Sequence, residues 1–236
     1  MAANLNGSRK NMTPEQQYAE AERRAREADR NGGLLPVALL RQAAAAGHAP
    51  AIYALANWHL HGKGVKKDFK QAVALLKKAA AKKHPAAEYD LAVSYELGEG
   101  GLAKEPKKAL IWYRRAAKDG DKGALIEVAR CYYHGLGTRR DLHKAIEWYK
   151  KAAKRGDAEA QYTLGRAYEF GEGADKDIRK AIRWYEKAAS QGDKKAKRAA
   201  EDLRADVEEQ ALAAKLRHSG RVRKPVLTVH SSVTKP

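Results

Sequence analysis

The sequence predicts an all-α protein, a right-handed α/α solenoid of stacked antiparallel helix pairs. Three observations predict it. Trp-Tyr recurs at 112–113, 148–149 and 184–185, 36 residues apart each time, and a fixed period of that length marks one supersecondary unit repeated along the chain. Gly-x-Gly recurs between those marks, at Gly62-Lys63-Gly64, Gly98-Glu99-Gly100, Gly135-Leu136-Gly137 and Gly171-Glu172-Gly173. The stretches on either side carry apolar residues at helical spacing, as in Tyr89, Leu91, Ala92 and Tyr95, or Ala145, Ile146, Trp148, Tyr149 and Ala152.

Each unit reads as helix, Gly-x-Gly loop, helix and tight turn. An acid follows each loop (Asp68, Glu105, Asp141, Asp177), where the N-terminus of a helix favours negative charge. Paired alanines follow four residues after each Trp, and a glycine closes the unit at Gly47, Gly120, Gly156 and Gly192, with His84 in that place once. Leu76 and Leu40 stand for the Trp in the two earliest units. One helix pair cannot bury its apolar face alone, so neighbours must stack into a continuous core.

The expected organisation follows in order. Residues 1–13 form a disordered N-terminus, and 14–48 a divergent helix pair joined by Asn31-Gly32-Gly33. Four units occupy 49–84, 85–120, 121–156 and 157–192. Residues 193–217, charged and rich in Ala with Leu203, Val207, Leu212 and Leu216, form a capping helix. Residues 218–236 form a basic disordered tail.

This pattern resembles the Sel-1-like repeat family, a branch of the tetratricopeptide-like solenoids. The fourth unit carries the motif as Leu164-Gly165, Tyr168, Gly171-Glu172-Gly173, Asp177, Lys180-Ala181, Trp184-Tyr185, Lys187-Ala188-Ala189 and Gly192. The third carries it as Tyr132, Gly135-Leu136-Gly137, Asp141, Lys144-Ala145, Trp148-Tyr149, Lys151-Ala152-Ala153 and Gly156. The first departs most, with His59 for the Tyr and Leu75-Leu76 near the Trp-Tyr position.

Composition narrows the function. Lys plus Arg number 47 against 29 Asp plus Glu, a formal charge of +18, which favours acidic partners. The charge is uneven: 49–84 carries eight cations and one acid, 157–192 six and seven. Many cations fall on second helices, at Lys77, Lys78, Arg114, Arg115, Lys150 and Lys151. One cysteine, Cys131, excludes an internal disulfide. The sequence opens without the apolar run of a signal peptide or membrane helix, so a cytoplasmic location is expected.

No motif points to an enzyme, and none is expected. The Gly-x-Gly turns never continue as a phosphate loop or a dinucleotide loop. His59 and His61, two apart, do not share a helix face, so no metal site and no cofactor are expected. Cys131 falls at a small-residue position and reads as core. The Trp-Tyr stripe reads as helix packing rather than as a base-stacking platform.

The expected function is that of a non-enzymatic adaptor or scaffold that binds another protein, one with an acidic or extended segment. The resemblance implies that the first helix of each pair lines a concave side. The candidate contacts there recur as Ala54, Asp90, Glu127 and Thr163, as Asn57, Val93, Arg130 and Arg166, and as His61, Leu97, His134 and Phe170. An exposed Arg130–Arg166 ladder would suit a peptide carboxylate. Two alternatives stand beside this reading: a nucleic-acid-associated protein using the basic outer face and tail, and a toxin-immunity or inhibitor protein.

Overall fold

The computed structural model describes residues 12–31 and 33–218, so the expected disordered ends lie almost wholly outside it. Among the described residues there are eleven helices and no strand: α1 (Pro14–Asn31), α2 (Val37–Ala45), α3 (Ala49–His61), α4 (Phe69–Ala81), α5 (Pro85–Leu97), α6 (Pro106–Asp119), α7 (Gly123–His134), α8 (Leu142–Lys154), α9 (Ala158–Phe170), α10 (Ile178–Ala189) and α11 (Lys194–His218). Each helix packs on the one before and the one after, most extensively within the pairs α3–α4, α5–α6, α7–α8 and α9–α10. The result is an α/α solenoid.

Small residues let the helices approach closely. Ala51, Ala56, Ala79, Ala87, Ala92, Ala116, Ala124, Ala129, Ala145 and Ala160 have essentially no exposed surface. Large side chains fill the wider gaps, but only one member of each Trp-Tyr pair does so. Tyr113, Tyr149 and Tyr185 are buried, whereas Trp112, Trp148 and Trp184 are half-buried. Consecutive helical residues point about 100° apart, so where the Tyr faces the core squarely the bulkier Trp before it lies at the core's edge. Each Trp still packs on the helices, against the edge of the core. Leu76 and Leu40, both buried, hold the Tyr place in their units, not the Trp place. The extra residue in the loop of the second unit, at Gly100-Gly101, shifts the register by one.

The same shift corrects the closing residue. Lys83, at φ 59°, takes the left-handed conformation that Gly47 and Gly156 take elsewhere. His84 instead begins α5, its Nδ1 accepting from the Ala87 amide at 3.3 Å. Asp157 does the same for α9, accepting from the Ala160 amide at 2.8 Å. At the second helices, Asp68, Asp141 and Asp177 accept from the amides of Gln71, Lys144 and Lys180 at 2.9, 3.0 and 2.9 Å. Glu105, one methylene longer, makes no such cap and pairs with Lys108 Nζ at 2.8 Å. α2 starts at Val37 rather than at Leu34, because Pro36 disfavours helical backbone in the residue before it.

The Gly-x-Gly loop couples one repeat to the next. Its second glycine lies against the first turn of the preceding repeat's second helix. A Cβ on Gly137 would stand 2.2 Å from the Pro106 carbonyl oxygen, and one on Gly173 2.6 Å from that of Leu142. Within each repeat the loop is tied back by a backbone bond from the acid that follows it. Asp68, Glu105, Asp141 and Asp177 amides donate to the carbonyls of His59, Tyr95, Tyr132 and Tyr168 at 2.8–2.9 Å. His59 thus occupies the backbone place of the missing Tyr.

α11 buries Ala196 and Ala200 against α10, with Leu203 partly covered. Beyond them Val207 and Leu212 are exposed, so the contact is confined to the first part of that helix.

Candidate functional site

The first helices α3, α5, α7 and α9 place their candidate residues in three environments. Asn57 and Asp90 belong to the first. Both lie near the Tyr53 hydroxyl, and burial raises the Asp90 carboxyl above its ordinary range, with Asp121 adding to the rise. Tyr53 itself stacks on His84 at 4.6 Å. Ala54 lines a separate groove of about 190 Å³ between α1 and α3, with Tyr18, Trp58 and Lys63 among its walls.

The second environment is a structural lock. Arg130 Nε donates to Glu127 at 2.7 Å and its Nη2 to Glu96 at 2.7 Å. Glu96 also accepts from the Tyr113 hydroxyl at 2.7 Å. Burial opposes the Glu96 charge, but the bonds from Arg130 and Tyr113 outweigh it and hold the carboxyl below its usual range. Arg130 therefore ties α7 to α5 and is not poised for a partner. The expected Arg130–Arg166 ladder is divided for this reason. In the fourth repeat the Tyr185 hydroxyl donates to Glu169 at 2.6 Å in the same way.

The third environment is a groove of about 170 Å³ between α7 and α9, lined in part by Tyr133, His134, Tyr149, Tyr162, Thr163, Arg166 and Glu172. Arg166 is the repeat equivalent of Arg130, but the place of Glu96 is held by Tyr133. Arg166 thus has no carboxylate where Arg130 has one. Its guanidinium lies 5.8 Å over the ring of Phe170, which is exposed. Thr163, Arg166, His134 and Phe170 are brought together, whereas Asn57, Asp90 and Glu127 are held elsewhere by other partners. Glu96, Tyr133 and Glu172 escaped sequence reasoning. The one signal for them was the alternation Glu96, Tyr133, Glu169 at a single repeat position.

Cys131 is buried, and burial pushes its thiol up to about 11, which suits a core residue and not a nucleophile. Among the described residues no group of three or more His, Cys, Asp or Glu could hold a metal ion. No described helix is long and apolar enough to cross a membrane.

Four consecutive segments, residues 49–84, 85–121, 123–157 and 158–193, match the Sel1 repeat, more than half the chain. The chain belongs to the Sel1 repeat family. No curated protein matches it. Among solved structures it is similar to a Sel1 repeat protein from Oxalobacter formigenes, at 33% identity and a TM-score of 0.60 over 69% of this chain and 64% of that one. It is also similar to c5321, a protective antigen of uropathogenic Escherichia coli with this Sel1-like fold, at 31% identity and a TM-score of 0.70 over 82% of this chain and 44% of that one. This Sel1 chain therefore spans less than two thirds of either. An immunity protein, PA5088 of Pseudomonas aeruginosa, matches at 26% identity and a TM-score of 0.46 over 76% of this chain and 67% of that one.

Proposed function

We propose that this Sel1 chain is a non-enzymatic adaptor that holds a segment of another protein on the face of its first helices, at the groove between α7 and α9. One observation carries the reading: Arg166 holds the repeat position of the structural Arg130, but Tyr133 stands where Arg130 has its partner Glu96. An arginine freed of its internal acid can fork onto a carboxylate of a bound peptide. Phe170 beside it offers exposed apolar surface, and His134, Thr163 and Tyr133 offer hydrogen-bonding groups. A repeat stack supplies such a surface at little conformational cost, because each unit is held rigid by its neighbours.

The test is affinity capture with the full chain from nuclease-treated lysate of its source cells, beside Arg166→Glu and Arg130→Ala. The expected result is a discrete protein retained by the parent and by Arg130→Ala under conditions where the latter is folded. Arg166→Glu should lose it while keeping its helical circular dichroism. Retention by Arg166→Glu would overturn the choice of groove. Recovery that vanishes on nuclease treatment would overturn protein binding in favour of the nucleic-acid alternative.

A further inference from the structure

The second helices carry a different surface, built twice. Between α6 and α8 lies a groove of about 420 Å³ lined by Ile111, Arg114, Arg115, Lys118 and Trp148. Between α8 and α10 lies one of about 650 Å³, in which Lys150, Lys154 and Trp184 repeat Arg114, Lys118 and Trp148 at a spacing of 36 residues. In each, two cations one helical turn apart face the indole of the next repeat. Arg114, Lys118, Lys150 and Lys154 enter none of the ion pairs among the described residues, whereas Arg115 is engaged with Glu88 at 3.2 Å. The carboxylate lining the second groove, Glu186, is turned to Arg204 of α11.

We infer that these two grooves form one continuous docking track for an extended acidic peptide of another protein, with carboxylates on the four cations and apolar side chains against Trp148 and Trp184. Charge complementarity selects an anionic occupant, since the four cations have no internal acid to neutralise them. The indoles select against nucleic acid. Base stacking needs an open ring face, and one face of each indole is already taken by a cation of its own helix. Lys151 stands 3.8 Å over Trp148 and Lys187 4.3 Å over Trp184. What remains open is apolar ring surface and lysine stem, which suits an aliphatic side chain. Helices in contact lie roughly 8–10 Å apart, which sets the least spacing between equivalent helices, and an extended or polyproline chain advances about 3.1–3.4 Å per residue. Carboxylates at least three residues apart are therefore needed to reach successive grooves, and glutamates crowded at one end cannot. This surface lies on different helices from the Arg166 groove and does not depend on that reading.

The probe is a fluorescein-labelled (Glu-Pro-Leu)4 peptide, followed by anisotropy with the full chain at roughly 50 and 150 mM salt. The controls are a peptide of the same composition with its glutamates clustered at one end, and a single-stranded DNA of about 20 nucleotides. The spaced peptide should bind, and bind about tenfold tighter than the clustered one. Lys150→Glu with Lys154→Glu should weaken it about tenfold or more, Lys150→Arg with Lys154→Arg should preserve it, and Arg166→Glu should leave it unchanged. If the double glutamate variant loses helical signal, Arg114→Ala with Lys118→Ala serves in its place. No binding at the lower salt, equal binding of the clustered peptide, tighter binding of the DNA, or loss with Arg166→Glu would each overturn the inference.

Discussion

Replacing Glu88 with Gln should stabilise the protein at neutral pH and leave it nearly unchanged in mild acid. Glu88 stands on α5 at the core position held by Ile52, Leu125 and Gln161 in the other repeats, and it has no exposed surface. Neither carboxylate oxygen has a hydrogen-bond partner. Arg115, itself 45% exposed, lies 3.2 Å away, and a half-solvated cation repays little of the desolvation. Burial first, and the charge of Asp119 second, push the Glu88 carboxyl up to about 6 from an ordinary 4.5. An acid whose folded-state value is raised holds its proton more tightly when folded. The ionised form therefore costs stability above pH 6, and the cost fades as pH falls toward 4.5. The gap corresponds to about 2 kcal/mol at neutral pH. Gln161 shows what a neutral amide does at this place: its Nε2 donates to the Ala153 carbonyl at 3.2 Å, and its Oε1 accepts from Gln191 at 2.8 Å. Urea unfolding of parent and Glu88→Gln, read by circular dichroism at pH 4.5 and 7.5, measures the difference. The variant should gain about 1–2 kcal/mol at the higher pH and close to nothing at the lower. The same gain at both pH values would refute a raised carboxyl. A loss at pH 7.5 would show that the Arg115 pair outweighs desolvation.

Two further expectations concern packing. Gly165→Ala should destabilise by about 1–3 kcal/mol although alanine is the better helix former, because its Cβ would stand 2.5 Å from the buried Tyr185 ring. Adding Tyr185→Leu, the residue type that Leu76 supplies in the first Sel1 repeat, should restore part of the loss in thermal unfolding. Gly137→Ala should cost more than about 2 kcal/mol, combining left-handed backbone at φ 69° with the contact on Pro106. Because the clash joins two repeats, hydrogen exchange should rise first at the start of α6 and in the α7–α8 loop, and uniform exchange along the stack would count against the coupling role.

Most of the fold was legible in the sequence, because repeat spacing, apolar periodicity and loop chemistry are local signals that agree with one another. Helix pairs, Gly-x-Gly loops and aspartate caps follow from residues within one unit. The same periodicity hides register. One inserted residue near Gly101 moved the closing position from His84 to Lys83 and the Leu76 place from Trp to Tyr. Glu105 looked like a cap and is not one, since reach depends on a single methylene.

The candidate site was legible only as rows of positions. Arg130 and Arg166 are identical by sequence and by repeat register. Two residues separate them: on the same helix Thr163 stands where Arg130 has Glu127, and one repeat earlier Tyr133 stands where Arg130 has Glu96, which meets the arginine only when the helices stack. Likewise Trp and Tyr differ by one place in the chain, and the 100° turn of the helix sends one into the core and the other to the edge of a basic groove. By itself the sequence determined the repeat, its helices and its excess of positive charge, because those depend on neighbours along the chain. Which of the two arginines is spent inside the protein, and which is left facing outward, was decided by tertiary packing, because the Glu96 that engages Arg130 comes from the adjacent repeat, more than thirty residues away.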